Sequence, residues 1–328
     1  MKKVALITGI TGQDGAYLSK LLLEKDFKVY GLVSRSTRYA FANLEYLGVT
    51  GDVDFIDGDM VDEVSLINVV RRTRPDQVYN LAAQSFVGTS WDQPMRTTDV
   101  NACGTLRLLE AVKSFAPRAR FYQASTSEMF GNSHQNGHQV EETPMHPRSP
   151  YAIAKLYAYW IVNNYRESYS MFCVNGILFN HESPVRGKEF VTRKITYNVA
   201  KIKLGLSGRF GLGNLDSKRD WGFAGDYVEA MYLMLQQDAA ENFIVSTGQT
   251  HSIREFLDVA FSHVGITDWQ KHVYIDPLFM RPAELFSLQG SSQNARMKLG
   301  WQPKVTFIDL VHMMVDADLE RLQKNCKA

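Results

Sequence analysis

Tyr151 and Lys155 stand four residues apart in Ser149-Pro150-Tyr151-Ala152-Ile153-Ala154-Lys155. On a helix that spacing puts a phenol and an ammonium on one face. An ammonium beside a phenol favours the phenolate, so Lys155 is expected to lower a pKa that starts near about 10 and to make Tyr151 a base near neutral pH. The pattern alone decides little, because Tyr197 with Lys201 repeats it. Context separates the two. Ser149 reads as a helix N-cap and Pro150 as a first-turn residue of a helical stretch that continues through Tyr165. Upstream, Ser125-Thr126-Ser127-Glu128 supplies three hydroxyls and a carboxylate where a strand should end, the edge at which open α/β sheets bind ligands. Tyr197 has no such partner and reads as an ordinary helix tyrosine.

A second group sits near the N-terminus. Gly9, Gly12 and Gly15 in Gly9-Ile10-Thr11-Gly12-Gln13-Asp14-Gly15 are spaced GxxGxxG, directly after an apolar run and before a helical pattern. Small residues there let the backbone approach a pyrophosphate, which rests on the amides of the helix N-terminus. About twenty residues on, a ribose 2'-hydroxyl calls for an acid and a 2'-phosphate for a cation. The chain offers Ser34-Arg35-Ser36 and no acid, which favours NADP over NAD. Asp59, in Asp57-Gly58-Asp59-Met60, is placed to border the adenine.

These groups need a frame. Short apolar runs at 3–8, 28–33, 53–56, 77–81, 120–123 and 172–178 alternate with helical patterns such as 16–24 and 64–72. That rhythm predicts an α/β fold, a doubly wound parallel sheet of Rossmann type. From about Asn180 it breaks into short runs punctuated by Gly205, Gly208, Gly211 and Gly213, with helical patterns again near 252–263 and 307–322. The expected division is a dinucleotide-binding unit over 1–179, with later segments returning to it, and a smaller C-terminal cap over 180–328 that binds substrate. No linker separates them, so they should share one cleft.

Composition narrows the classes. The 328 residues are roughly two domains' worth, and 45% hydrophobic with 22% charged excludes a disordered or fibrous chain. Lys plus Arg number 36 against 35 Asp plus Glu, a net charge of +1. No global field therefore draws in nucleic acid or an anionic membrane, and neither partner is expected. Cys103, Cys173 and Cys326 stand far apart, with no CxxC and no even framework, which fits a reducing compartment and a cytoplasmic enzyme better than a disulfide scaffold. The opening Met1-Lys2-Lys3 with its apolar run reads as a first strand rather than a signal peptide, and no stretch of eighteen apolar residues predicts a membrane span.

The glycine trio, Asn80-Leu81-Ala82-Ala83-Gln84-Ser85, Ser125 to Glu128 and the YxxxK pattern together resemble the extended short-chain dehydrogenase/reductase family. More closely, Gly9 to Gly15, Pro147-Arg148-Ser149-Pro150-Tyr151, Leu178-Phe179-Asn180-His181-Glu182-Ser183-Pro184, Phe190 to Lys194 and Lys218-Arg219-Asp220-Trp221-Gly222 resemble the GDP-mannose 4,6-dehydratases over nearly the whole chain. The segment Ser34-Arg35-Ser36 departs from the Arg-Arg-Ser frequent in that family. The resemblance implies an NADP site made by Gly9, Thr11, Gly12, Gln13, Asp14, Gly15, Arg35, Ser36, Asp59, Met60, Leu81, Ala83, Tyr151 and Lys155. It implies a GDP-sugar site made by Ser85, Asn180, Lys194, Arg219, Arg281 and Glu284, and a catalytic set of Thr126, Glu128, Tyr151 and Lys155. In the implied reaction Tyr151 takes the proton of the hexose 4-hydroxyl as hydride leaves C4. Glu128 then removes the C5 proton, the 6-hydroxyl departs as water with acid help from Glu128 or Thr126, and hydride returns to C6. A manno-heptose could replace mannose, while an epimerase or reductase would not need Glu128. A catalytically silent NADP-binding sensor would have no reason to keep Tyr151, Lys155 and Glu128 together.

Two further patterns complete the reading. His134 and His138 are four apart but lie in a polar, glycine-containing stretch with no cysteine or acid to complete a set, so no metal is expected. The helix after Tyr151 carries Leu156, Tyr157, Tyr159, Trp160, Ile161 and Val162 around most of its circumference, more than one buried face requires. It should be wholly buried or meet a partner subunit, and the resemblance implies a homodimer or homotetramer.

Overall fold

The computed structural model describes residues 2–37, 40–133, 137–279 and 287–327. The first half alternates as its apolar pattern requires: β1 (Val4–Thr8), α1 (Gln13–Glu24), β2 (Lys28–Val33), α2 (Ala42–Tyr46), β3 (Asp54–Asp57), α3 (Glu63–Thr73) and β4 (Gln77–Asn80). Then follow α4 (Val87–Asp92), α5 (Pro94–Thr98), α6 (Gly104–Phe115), β5 (Arg120–Thr126), α7 (Pro150–Tyr169) and β6 (Cys173–Leu178). The expected strands shift by a residue or so at their ends, and β5 runs on to Thr126, which carries the serine and threonine hydroxyls onto the sheet edge.

Beyond β6 come β7 (Asn180–Glu182), α8 (Val191–Lys203), β8 (Phe210–Leu212), β9 (Lys218–Arg219), β10 (Trp221–Phe223), α9 (Ala224–Met234) and β11 (Phe243–Val245). The chain closes with β12 (His251–Ser252), α10 (Ile253–His263), β13 (Val273–Ile275), β14 (Ser287–Leu288), α11 (Gln293–Leu299) and α12 (Phe307–Lys327).

The main sheet has seven strands in the order β11-β6-β5-β4-β1-β2-β3, all parallel. Parallel strands covered on both faces must be apolar throughout, and every residue of β4, β6 and β11 is buried. One face packs on Leu18, Leu22, Tyr227, Met231 and Met234 from α1 and α9. The other packs on Leu66, Val70, Leu108, Val112 and Val162 from α3, α6 and α7. Strand order reverses between β1 and β4, so the connections after these strands part and leave a crevice at the carboxyl edge. The seventh strand, β11, comes from beyond residue 180 and covers β6 through the register Phe243 to Gly176 and Val245 to Leu178. Trp301 and Leu299 join the same core.

The rest of the second half builds a separate core from Ile195, Val199, Trp221, Phe256, Phe261, Leu310 and Met314. It carries small sheets, β7 with β10, β13 with β8, and β12-β9-β14. Among the described residues no helix is long and apolar enough to cross a membrane.

Candidate active site

One cleft of about 1200 Å³ runs along the carboxyl edge between the sheet and the second core. On its sheet side the chain turns sharply after β1. Gly9 has φ +71, and a Cβ there would lie 2.8 Å from the Ala82 nitrogen. At Gly15 a Cβ would come within 2.5 Å of the Gly9 oxygen and the Ile10 Cα. Backbone on backbone leaves no side chain to yield, so both positions require glycine. Gly12 is the N-cap of α1 and brings no capping side chain, which leaves first-turn amides for an anion. Thr11, Gly12, Gln13, Asp14 and Gly15 all line the cleft. A nucleotide pyrophosphate fits this cradle.

The other expected cofactor residues distribute around it. Asp59, Met60, Leu81 and Ala83 line the same cleft, as does Ser36. Arg35 is exposed on the turn that Ser36 shares with Ser34 and Thr37. The loop after β4 is held from an unexpected quarter. Between α5 and α6 the helix widens into a π turn at Asp99–Cys103, a feature frequent at functional sites. It aims Asn101 so that its side chain accepts from the Gln84 amide at 2.8 Å and donates to the Gln84 carbonyl at 3.1 Å.

The chemical wall lies opposite the cradle. Ser149 accepts from the Ala152 amide at 3.1 Å and Pro150 opens α7, which fixes where the helix starts and turns Tyr151 and Lys155 to one face. Thr126, at the end of β5, accepts from the Glu128 amide at 3.3 Å and sets the tight turn that holds Glu128. Thr126, Glu128, Tyr151 and Lys155 all line the cleft, and all are buried.

Electrostatics correct one expectation. The phenol of Tyr151 is pushed up to about 12, not lowered: burial dominates, with a hydrogen bond to Thr126 opposing it and the Glu128 charge reinforcing it. Lys155 is itself pulled down to about 8 by burial, partly offset by Asp14. Its ammonium donates to the Ala124 carbonyl at 2.8 Å, so the sheet edge engages the charge that helical spacing had assigned to the phenol. Desolvation disfavours every charged form here.

Along the same cleft is a largely buried ion pair whose partners the sequence places far apart. His181 Nε2 lies 2.8 Å from Asp14 Oδ2, and its Nδ1 lies 2.8 Å from the Phe179 carbonyl. Burial pushes Asp14 up, but His181 and Gln13 outweigh it and hold the carboxyl below its ordinary value. Burial pulls His181 down, and Asp14 overcomes that and raises it. The imidazole stacks on Tyr227 at 4.6 Å. Gln13 completes the tie, donating to the His181 carbonyl at 3.0 Å and accepting from Ser183 at 2.8 Å. The glycine cradle is thereby fastened to β7.

The expected substrate residues Ser85, Asn180, Lys194 and Arg219 come from four separate segments and line one cleft. The Lys194 ammonium sits 3.1 Å from the Phe279 ring centroid, and burial lowers its pKa. Arg219 is buried and donates to the Lys218 carbonyl at 2.8 Å. Next to it, burial raises Asp220 to about 6 against hydrogen bonds from Thr247, Gly248 and Gly290. Arg281, Glu284 and His134 lie outside the described residues. His138 Nδ1 is 3.4 Å from the Gly290 carbonyl.

Residue patterns alone missed His181 and Arg186 as parts of the site. Both line it, and both stand in or beside the segment from Leu178 to Pro184, which marks the family but gives no local sign of their roles. Phe86 and Phe190, edge to face at 5.7 Å, meet across the cleft. The helix after Tyr151 is not wholly buried. Tyr159 and Val162 face the core, while Ile153, Tyr157 and Trp160 are 57%, 43% and 59% exposed.

A glycine turn after the first strand of a doubly wound sheet, facing a tyrosine and lysine on one helix, defines an extended short-chain dehydrogenase/reductase. The chain belongs, within that class, to the GDP-mannose 4,6 dehydratase family, whose model matches residues 6–314. It is 49% identical to the GDP-mannose 4,6 dehydratase of Cricetulus griseus over 100% of this chain and 94% of that one. Among solved structures, the UDP-glucose 4-epimerase of Thermus thermophilus in complex with NAD superimposes with a TM-score of 0.84 at 28% identity, covering 96% and 98% of the two chains. RMD from Pseudomonas aeruginosa complexed with NADPH gives 0.82 at 25% identity, covering 98% and 100%.

Proposed function

We propose that this protein is a nucleotide-sugar 4,6-dehydratase that converts GDP-mannose to GDP-4-keto-6-deoxy-mannose with NADP as a resident cofactor. One observation carries the reading: Glu128, Thr126, Tyr151 and Lys155 share a buried wall of the cleft whose other side is a glycine cradle. A simple reductase or epimerase has no need of a carboxylate there.

Bound NADP would supply a hydride acceptor that later returns the same hydride. The cradle of Gly9, Gly12 and Gly15 would take its pyrophosphate. Arg35 and the hydroxyls of Ser34 and Ser36, with no acid at the end of β2, support a 2'-phosphate over a free hydroxyl. Tyr151 removes the proton of the sugar 4-hydroxyl, and Arg186 and the hydrogen bond with Thr126 favour its ionised form. Thr126 hydrogen-bonds the same hydroxyl. The resulting ketone acidifies C5, and the Glu128 carboxylate takes the C5 proton. Carrying it as a carboxylic acid, Glu128 then protonates the departing 6-hydroxyl, and the proton that Tyr151 took from the 4-hydroxyl returns to the sugar at C5, so the net loss is one water. Asn180, Lys194 and Arg219 grip the GDP portion, with Arg281 and Glu284 completing the set. Burial of this wall strengthens each charge interaction by excluding water.

Residues 1–179, together with α9, β11 and α11, form the cofactor unit in this reading, and the rest of 180–328 forms the cap. The exposed stripe of Ile153, Tyr157 and Trp160, at helical spacing on α7, supports pairing of two copies through this face. All three cysteines are free thiols, which supports a reducing, cytoplasmic setting.

Mass spectrometry of GDP-mannose incubated with the purified protein and no added reductant tests the reaction. The expected product is lighter by one water. Glu128→Gln should slow water loss by about 10²- to 10⁴-fold, the usual contribution of a general base, with nucleotide binding retained. Dehydration at near-normal rate in that variant overturns the role of Glu128.

A further inference from the structure

The cleft does not use Arg193, yet every nitrogen of its guanidinium is engaged close by. It stands in the first turn of α8 and is 5% exposed. Its Nε donates to both oxygens of Asp318 at 2.9 and 2.8 Å, and Nη2 lies 2.7 Å from Oδ1. Its Nη1 donates at 2.8 Å to the carbonyls of Pro184 and Arg186. Asp318, on α12, is fully buried and also accepts from Thr196 at 2.8 Å. A buried ion pair is poor evidence for stability, since a well-packed apolar pair of like volume often serves as well. An apolar pair, however, cannot hold two main-chain carbonyls in a turn.

That turn presents Arg186 to the cleft. The Arg186 side chain is held separately, with Nε 3.0 Å from Glu182 Oε2 and the guanidinium 3.6 Å above the Phe190 ring. Glu182 is fixed in turn by Thr192 at 2.6 Å. Thr192 and Arg193, neighbours in sequence, thus anchor the side chain and the backbone of one cleft arginine.

We infer that Asp318, remote from the cleft on the C-terminal helix, is a positioning residue that acts through Arg193 to fix the 184–186 turn and so hold Arg186 in the cleft that Tyr151 lines. The inference rests on the dehydratase reading for its kinetic consequence. The charges that act on Tyr151 are Glu128 from the turn after β5, Arg186 from the 184–186 turn and Asp14 from α1, and Lys155 from α7 and His181 from β7 line the same cleft. Arg186 favours the phenolate and Glu128 and Asp14 oppose it. Letting Arg186 drift raises the pH at which Tyr151 ionises.

The test is Asp318→Asn, read in two ways. Amide exchange of the 183–190 segment, followed by mass spectrometry, should quicken relative to the unaltered chain. The rising limb of kcat against pH for water loss from GDP-mannose should move alkaline by about half a unit, about threefold in rate on the limb. Arg321→Ala removes a contact to the same carboxylate at 3.3 Å without touching the turn, and should leave both readouts unchanged. A merely structural role lowers activity equally at every pH. Should Asp318→Asn fail to fold, Thr196→Val removes one hydrogen bond from Asp318 and should move both readouts in the same direction by less. Unchanged exchange in the folded variant overturns the inference, and so does quickened exchange with an unmoved limb. If the unaltered chain releases no water from the sugar, the dehydratase reading fails, while the exchange measurement still decides whether Asp318 holds the turn.

Discussion

Replacing His181 by phenylalanine keeps a ring against Tyr227 and deletes the imidazole that pairs with Asp14. Removing one partner of a buried ion pair costs about 3–5 kcal/mol, because the other charge is left without compensation. The lower end applies here, since Asp14 keeps the Gln13 amide at 3.1 Å and the two side chains retain 10% and 20% exposure. With a urea dependence of about 3 kcal/mol per molar for a chain of this size, the denaturation midpoint should fall by about 1 M. The deficit depends on pH in a way that identifies its source. Asp14 has a lowered pKa in the folded chain, so its stabilisation is present above the unfolded value of about 3.9 and is lost as pH falls through the folded one. His181 has a raised pKa, so its contribution is present below the unfolded value of about 6.5 and is lost as pH rises through the folded one. The gap between parent and variant should therefore be widest from about pH 4 to 6.5 and narrow on either side. Urea denaturation followed by circular dichroism at several pH values, without added nucleotide, measures it. Adding Asp14→Asn should recover part of the loss, with a coupling of about 0.5–3 kcal/mol. A deficit that stays flat from acid to alkaline pH, or a double variant that is strictly additive, refutes an ion pair as the fastening of cradle to β7.

Two further outcomes follow from geometry. Gly15→Ala would set a methyl 2.5 Å from main-chain atoms of Gly9 and Ile10, and overpacking of about 1–3 kcal/mol should weaken NADPH binding by about 5- to 150-fold; calorimetry that finds unaltered affinity removes the cradle from the cofactor site. Trp160→Glu places a charge at the most exposed residue of the α7 stripe and should shift sedimentation velocity toward a single copy, whereas an unchanged assembly moves the subunit contact elsewhere.

Much of this site was legible because its parts are local. Gly9, Gly12 and Gly15 are close in sequence and answer to one tight turn. Ser149 and Pro150 start a helix whose own period brings Tyr151 and Lys155 together. The parallel strands announce themselves as short apolar runs, and the end of β5 locates Thr126 and Glu128. Less local features escaped. The strand Phe243 to Val245 is too short to show a period, and its place at the sheet edge depends on a partner, β6, far back in the chain. The expected lowering of the Tyr151 phenol failed for a related reason: spacing gives proximity, but the dielectric around the pair and the Ala124 carbonyl that engages Lys155 come from packing.

By itself the sequence determined the elements, the position of the glycine turn and the identity of the groups that do chemistry, since each follows from interactions within a few residues. Only the tertiary structure decided which of these groups meet. Asp14 with His181, Arg193 with Asp318, and Lys194 with Phe279 join residues that share no local pattern. Charges settle where burial leaves them one good partner, and burial is a property of the whole fold.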